Sequence, residues 1–127
     1  MPSPRVAVLP GADAAFASAT IADAKGERSR ALVEFNALYV LLPDITETRC
    51  ALGHALVQMG RYREGYMHVR AAAEDGMVTC NEPALLDWAV AAMVLGRETE
   101  ALDVYRRALV SYKRWPTVLI PALQSRL

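Results

Sequence analysis

The chain has 127 residues, 54% of them hydrophobic, and its 14 basic and 14 acidic side chains cancel to zero net charge. That is the length of one domain, able to bury roughly two thirds of its unfolded surface. The charges are spread along the chain, so no basic stripe offers itself to nucleic acid, and no uncharged apolar run approaches the ~18 residues that a membrane span needs.

Residues 1–11, MPSPRVAVLPG, carry three prolines, which remove backbone donors and forbid a regular helix. A flexible N-terminal arm is expected, in which Val6 to Leu9 form a short extended apolar segment that docks on this copy or another. Ala17-Ser18-Ala19 resembles a leader cleavage site. The apolar stretch before it is broken by Pro10, Gly11 and Asp13, and only Arg5 charges its front, so no leader is expected.

The first helix is predicted over 13–25, alanine-rich, with Asp13 as N-cap. The second, over 27–41, carries Ala31, Leu32, Phe35, Leu38 and Tyr39 on its buried side and is stopped by Pro43. Asp44-Ile45-Thr46-Glu47 reads as a capping-box start for a third helix over 45–59. There Leu52, Leu56 and Met59 recur at helical spacing, and Gly53 leaves room for a second helix to lie close. Gly60 ends this helix, and a fourth over 62–75 returns with Tyr62, Tyr66, Val69 and Ala73 on one face, ending at Gly76. Asn81 is the expected cap of a fifth helix, with Pro83 in its first turn, where a missing N–H costs nothing. The sixth, over 98–112, holds Ala101, Leu102, Tyr105, Ala108 and Leu109. Its acids Glu98 and Glu100 come first and its bases Arg106, Arg107 and Lys113 last, which suits the helix dipole. Val118, Leu119, Ile120 and Leu123 then form a short apolar segment fit to cover the end of a stack.

Three turn glycines, Gly26, Gly60 and Gly96, lie 34 and 36 residues apart, and each has a small residue five positions later (Ala31, Gly65, Ala101). The pattern reads F-x-A-L-x-x-L-x-P over 35–43, T-R-C-A-L-G-x-A-L over 48–56 and L-G-R-x-x-E-A-L-x-x-Y over 95–105. Trp88 stands where a leucine usually precedes the small residue, here Ala89. It resembles the tetratricopeptide repeat, a helix hairpin of about 34 residues. The resemblance implies an all-α chain: an α-solenoid of three repeat hairpins (six helices) plus a short C-terminal capping segment. Its parts are the arm 1–11, the repeats 12–45, 46–79 and 82–115, and the cap 116–127.

A small three-repeat chain of this kind, with 12 Arg against 2 Lys as in GC-rich bacterial genomes, is similar to the tetratricopeptide-repeat chaperones of bacterial type III secretion. Some of these hold an extended segment of a translocator protein. Others, of about this length and with a short N-terminal arm, hold a small secreted export component. The resemblance implies a cytoplasmic, protein-binding virulence chaperone whose concave groove buries an apolar segment of its partner until export. The first helix of each hairpin lines that groove, and reading i, i+4, i+7 off the packing face gives Phe16, Thr20 and Asp23; Cys50, His54 and Val57; and Leu86, Val90 and Met93. Most of these are apolar or sulfur-bearing, which a solvated wall does not need unless something covers it. Gln58 stands beside Val57, placed to hydrogen-bond a bound backbone. Val57→Glu combined with Val90→Glu is therefore expected to remove the partner with little change in stability. A scaffold assembling a stable complex is the alternative, and homodimerisation through the apolar N-terminal arm or C-terminal cap is compatible with either.

Catalysis, cofactor and metal are not expected. Two cysteines, Cys50 and Cys80, make no disulfide framework and read as buried thiols in a reducing compartment. With His54 and His68 they are spaced C-x3-H-x13-H-x11-C, which fits no common zinc frame. No glycine-rich phosphate loop and no nucleophile with an aligned base is present.

Overall fold

A computed structural model of the chain describes the backbone of residues 11–75 and 78–111, and the side chains of 11–75 and 84–110. Within these residues six helices and no strand form: α1 (Ala12–Ala24), α2 (Arg28–Leu41), α3 (Thr46–Gln58), α4 (Tyr62–Glu74), α5 (Val78–Val94) and α6 (Glu98–Ser111). The arm segment Val6 to Leu9, the side chain of Asn81 and the capping segment 116–127 lie outside them.

The three turn glycines all adopt positive φ (82° at Gly26, 80° at Gly60, 82° at Gly96), the left-handed region that side chains avoid. Each turn closes with the same two bonds. Gly26, Gly60 and Gly96 N–H donate to Asp23, Val57 and Met93 carbonyls, and Glu27, Arg61 and Arg97 N–H donate to Ala22, Leu56 and Ala92 at 2.8–2.9 Å. These are Schellman closures, which satisfy carbonyls that a helix end leaves without partners. The repeat seen in the sequence is thus a repeat of backbone geometry.

Every helix packs on the next, so the fold is a succession of three hairpins, an all-helical solenoid. In addition α3 packs against α5 and touches α1, whereas among the described residues α2, α4 and α6 meet one another only through longer side chains, Tyr39 with His68 and Tyr66 with Glu100. The helices α1, α3 and α5 therefore form the closer, inner row, and α2, α4 and α6 the outer row.

The tightest joint is α3 on α4. A Cβ placed at Gly53 would lie 2.6 Å from Val69 Cγ1 and 3.0 Å from Val69 N. One at Gly65 would lie 2.8 Å from Val57 Cγ2 and 3.2 Å from Gly53 O. Around this joint Leu52, Leu56 and Ala55 pack with Phe35, Ala31 and Ala19 of the first hairpin. On its other side Val57, Val69 and Tyr66 pack with Trp88, Tyr105 and Ala101 of the third.

Polar bonds tie the outer row to α5. The Glu100 carboxylate accepts from Tyr66 Oη at 2.5 Å and from Trp88 Nε1 at 2.8 Å. Burial pushes its pKa up, but these two donors with Arg70 and Arg97 outweigh burial and hold it below the usual carboxylate range. The aromatic rings are in turn flanked by guanidinium groups: Arg97 lies 5.1 Å from the Tyr66 centroid and Arg107 5.2 Å from that of Trp88.

Local expectations are corrected at several helix ends. Asp13 is not the α1 cap: Gly11, at φ 83°, precedes the helix and Asp13 sits in its first turn. Helix α3 starts at Thr46 with Ile45 at its N-cap, one residue after the expected start. The Thr46 hydroxyl donates to the Asp75 carboxylate just past the end of α4, a tertiary bond. Helix α5 begins at Val78, ahead of Asn81 and Pro83, so Asn81 lies within the helix and not before it. Met59, placed on the buried face by its spacing, is 39% exposed, since it sits past the last turn of α3.

Replacing Gly65 with alanine should lower the urea midpoint. The overlap with Val57 and the Gly53 carbonyl costs about 1–3 kcal/mol, more than the ~1 kcal/mol that alanine gains over glycine inside a helix. An unchanged or raised midpoint would mean that α3 and α4 separate freely.

Candidate functional site

The inner row gathers the predicted groove residues onto neighbouring helices, in different environments. On α1, Phe16 is half-buried and meets Phe35 edge-on, with ring centroids 5.6 Å apart. Thr20 is exposed, and its hydroxyl donates to the Phe16 carbonyl at 2.8 Å. Asp23 is half-buried, and its Oδ1 has no hydrogen-bond partner among the described residues. On α5, Leu86, Val90 and Met93 are half-buried and pack against the core of the second and third hairpins. Gln58, at the end of α3, is exposed.

Val57 is not a wall residue. It is 4% exposed, held between α3 and α4 against Gly65. Its position in the i, i+4, i+7 series pointed toward the groove, but the glycine opposite lets α4 close over it. The Cys50 expectation is also overturned, since Cys50 is half-buried and disulfide-bonded, so it is no free thiol. The one other cysteine of the chain, Cys80, has its side chain outside the described residues. Spacing along a chain does not distinguish two thiols from a bridge. That depends on whether the fold brings the two Cβ atoms within about 4 Å. The inference of a reducing compartment from thiols therefore falls.

At the centre of the wall His54 Nδ1 lies 2.8 Å from Asp87 Oδ2, joining α3 to α5. Asp87 is 6% exposed, and a carboxylate buried so deeply needs a donor. Nδ1 therefore carries a proton, and Nε2 is the ring atom left for a ligand. The His54 pKa is raised chiefly by the Asp87 hydrogen bond. Burial opposes this, the charges of Asp87 and Asp23 add to it, and Arg28 subtracts. Asp87 had not been picked out in the sequence, although it is the only charged residue in the apolar run 84–94. A lone charge in such a run marks a buried polar partner.

His68 belongs elsewhere. It sits on α4 with its ring edge-on to Tyr39 at 4.8 Å, and burial, with the charge of Arg49, lowers its pKa. His68 also lines a cleft of about 260 Å³ between α2, α3 and α4 that includes Leu32, Leu52 and Leu56. Among the described residues no group of three or more His, Cys, Asp or Glu is placed to hold a metal ion. No helix there is long and apolar enough to cross a membrane.

Two outcomes follow from these environments. Val57→Glu should cost about 3 kcal/mol or more, because it buries an unpaired charge in the α3–α4 joint. Thermal unfolding that is unchanged would place Val57 back on the wall. Because the folded pKa of His54 is raised above 6.5, its stabilising effect is complete below the unfolded value and fades as pH rises through the folded one. His68, lowered from 6.5, acts in the opposite sense, so the His54 effect is read as the difference between the protein and its His54→Gln variant. That gap in urea midpoint should narrow between about pH 6 and pH 8, and a gap independent of pH would mean that the pair carries no extra proton.

Comparison of the chain with known protein families and with characterised proteins finds no match.

Proposed function

We propose that this chain is a tetratricopeptide-repeat chaperone of the type III secretion kind, which holds an apolar segment of a secretion substrate or export component against its inner helices. The observation that carries the reading is the inner row itself. Phe16, Leu86, Val90 and Met93 are only partly covered, and α1 and the neighbouring α3 present the exposed polar groups of Thr20 and Gln58. Apolar side chains give affinity for many aggregation-prone segments, and the few polar groups orient them. The motifs over 35–43, 48–56 and 95–105 support the family, and the repeated turn geometry supports a hairpin array.

In this reading the protein performs no chemistry on its partner. It removes an apolar segment from water and gives it up when the export machinery binds that segment more strongly. The site of action is the bacterial cytoplasm, where a reducing environment would open the Cys50 bridge.

The test is co-purification with an inner-wall control. A tagged chain should retain one small secreted protein, in near-equal amount, that precipitates when expressed alone. Thr20→Arg combined with Gln58→Arg should lose that protein, while stability shifts by less than about 0.5 kcal/mol because both positions are exposed. Retention of a stable set of partners, each soluble without this chain, would favour the scaffold reading. Equal retention by the variant would place binding away from the wall.

A further inference from the structure

Two cross-links join α3 to α5, one polar and one covalent. His54 on α3 bonds Asp87 on α5. Cys50 on α3 is disulfide-bonded, and the one other cysteine of the chain is Cys80, the third residue of α5. The spacings agree with such a pairing. Cys50 and His54 stand at i, i+4 on α3, and Cys80 and Asp87 at i, i+7 on α5, so each pair lies on one face of its helix.

The start of α5 conflicts with its local sequence. The helix begins at Val78, which puts Asn81 and Pro83 inside it. A proline in a helix has no N–H for the carbonyl four residues earlier and crowds that carbonyl, here Thr79. Asparagine favours a cap over a helix interior, because its side chain competes for backbone bonds. A start after Asn81 resolves both conflicts. Asn81 becomes the cap, Glu82 meets the positive end of the helix dipole, and Pro83 falls in the first turn, where no N–H is needed. The turn 78–81 is therefore held helical by something other than its own sequence, and the covalent tie at Cys80 lies within it.

We propose that the Cys50–Cys80 bridge is a redox switch for the start of α5. Oxidised, the bridge holds the turn 78–81 against α3 and the helix begins at Val78. Reduction uses two molecules of a small thiol such as glutathione. The first thiolate attacks one sulfur of the bridge, forms a mixed disulfide and releases the other cysteine as a thiolate, which takes up a proton. The second thiolate attacks the glutathione sulfur of the mixed disulfide and leaves as glutathione disulfide, and the remaining cysteine is protonated in turn. The chain has then gained two electrons and two protons, and α5 begins after Asn81. The rest of the helix stays in place, because the His54–Asp87 bond and the packing of Leu86, Val90 and Met93 all lie beyond Pro83. The turn that is lost lies beside Cys50, so the switch acts on the inner row. It rests on the bridge and on the helix start, not on the chaperone reading.

The experiment is hydrogen exchange read by mass spectrometry on the full chain, held in glutathione disulfide or in glutathione, with thiols counted by alkylation. The oxidised chain should have no free thiol and should remain a single chain. On reduction, exchange over 78–82 should quicken by about tenfold or more, while exchange over 84–94 changes by less than about twofold. Pro83→Ala should remove most of that increase, because the local sequence then tolerates the longer helix. A chain that keeps both thiols free in glutathione disulfide overturns the proposal, as does a bridge found only between two chains. So does equal exchange over 78–82 in the two states. An increase spread evenly over all six helices also overturns it, because the bridge would then clamp the whole fold rather than one turn.

Discussion

The close approach of α3 to α4 is the constraint on which the rest of the structure depends. With glycine on both sides of the joint, at Gly53 and Gly65, the two backbones come nearer than any Cβ allows. Glycine inside a helix is unfavourable by roughly 1 kcal/mol relative to alanine, so two of them need compensation from packing. That compensation is visible as Val57 and Val69, both buried, whose branched side chains fill the space the glycines leave. The joint also divides the core, with Leu52 and Leu56 turned toward the first hairpin and Val57 and Val69 toward the third. A looser α3–α4 contact would spoil both halves, because protein interiors are close-packed and transmit small displacements.

Once α3 is seated, it decides the character of the inner row. Its position next to α5 puts His54 within hydrogen-bond distance of Asp87, so that a buried carboxylate from the third hairpin is satisfied by an imidazole from the second. Such a pair adds more to uniqueness of docking than to stability, since any other register would leave Asp87 buried without a donor. It also sets an oriented polar group, the His54 imidazole held by Asp87, at the centre of a wall whose other polar side chains are Thr20, Asp23 and Gln58.

The outer row is held by different physics. Glu100 gathers Tyr66 and Trp88, and arginines from α4 and α6 lie over the two rings. Trp88 therefore does more than substitute for an aliphatic core residue. Its N–H needs an acceptor when buried, and Glu100 on α6 supplies one, which fixes α6 relative to α5. The outer side of α2 carries instead the exposed Val33, Val40 and Leu41 beside the ion pairs of Arg30 with Glu27 and Glu34.

Local signals were sufficient for the six helices and their grouping. Gly26, Gly60 and Gly96 mark turns because a left-handed residue is needed there whatever the surroundings. The apolar faces of α2, α4 and α6 follow helical spacing because each helix has one side on the core. The closeness of α3 and α4 could also be read in Gly53 and Gly65, since a helix interior carries glycine at a cost that close packing offsets. Where the reading failed, a partner distant in the chain decided the outcome. Thr46 is bonded to Asp75, 29 residues away. Val57 left the wall because Gly65 admits α4 over it. Cys50 entered a disulfide, and Asp87 found its meaning only in His54, 33 residues earlier. The amino-acid sequence by itself determined the helices, their turns and their repeat, because backbone bonding and helical periodicity are local. Only the tertiary structure decided which side chains of the inner row are core, which are wall and which are paired, because burial is a property of neighbours that the chain brings together from far apart.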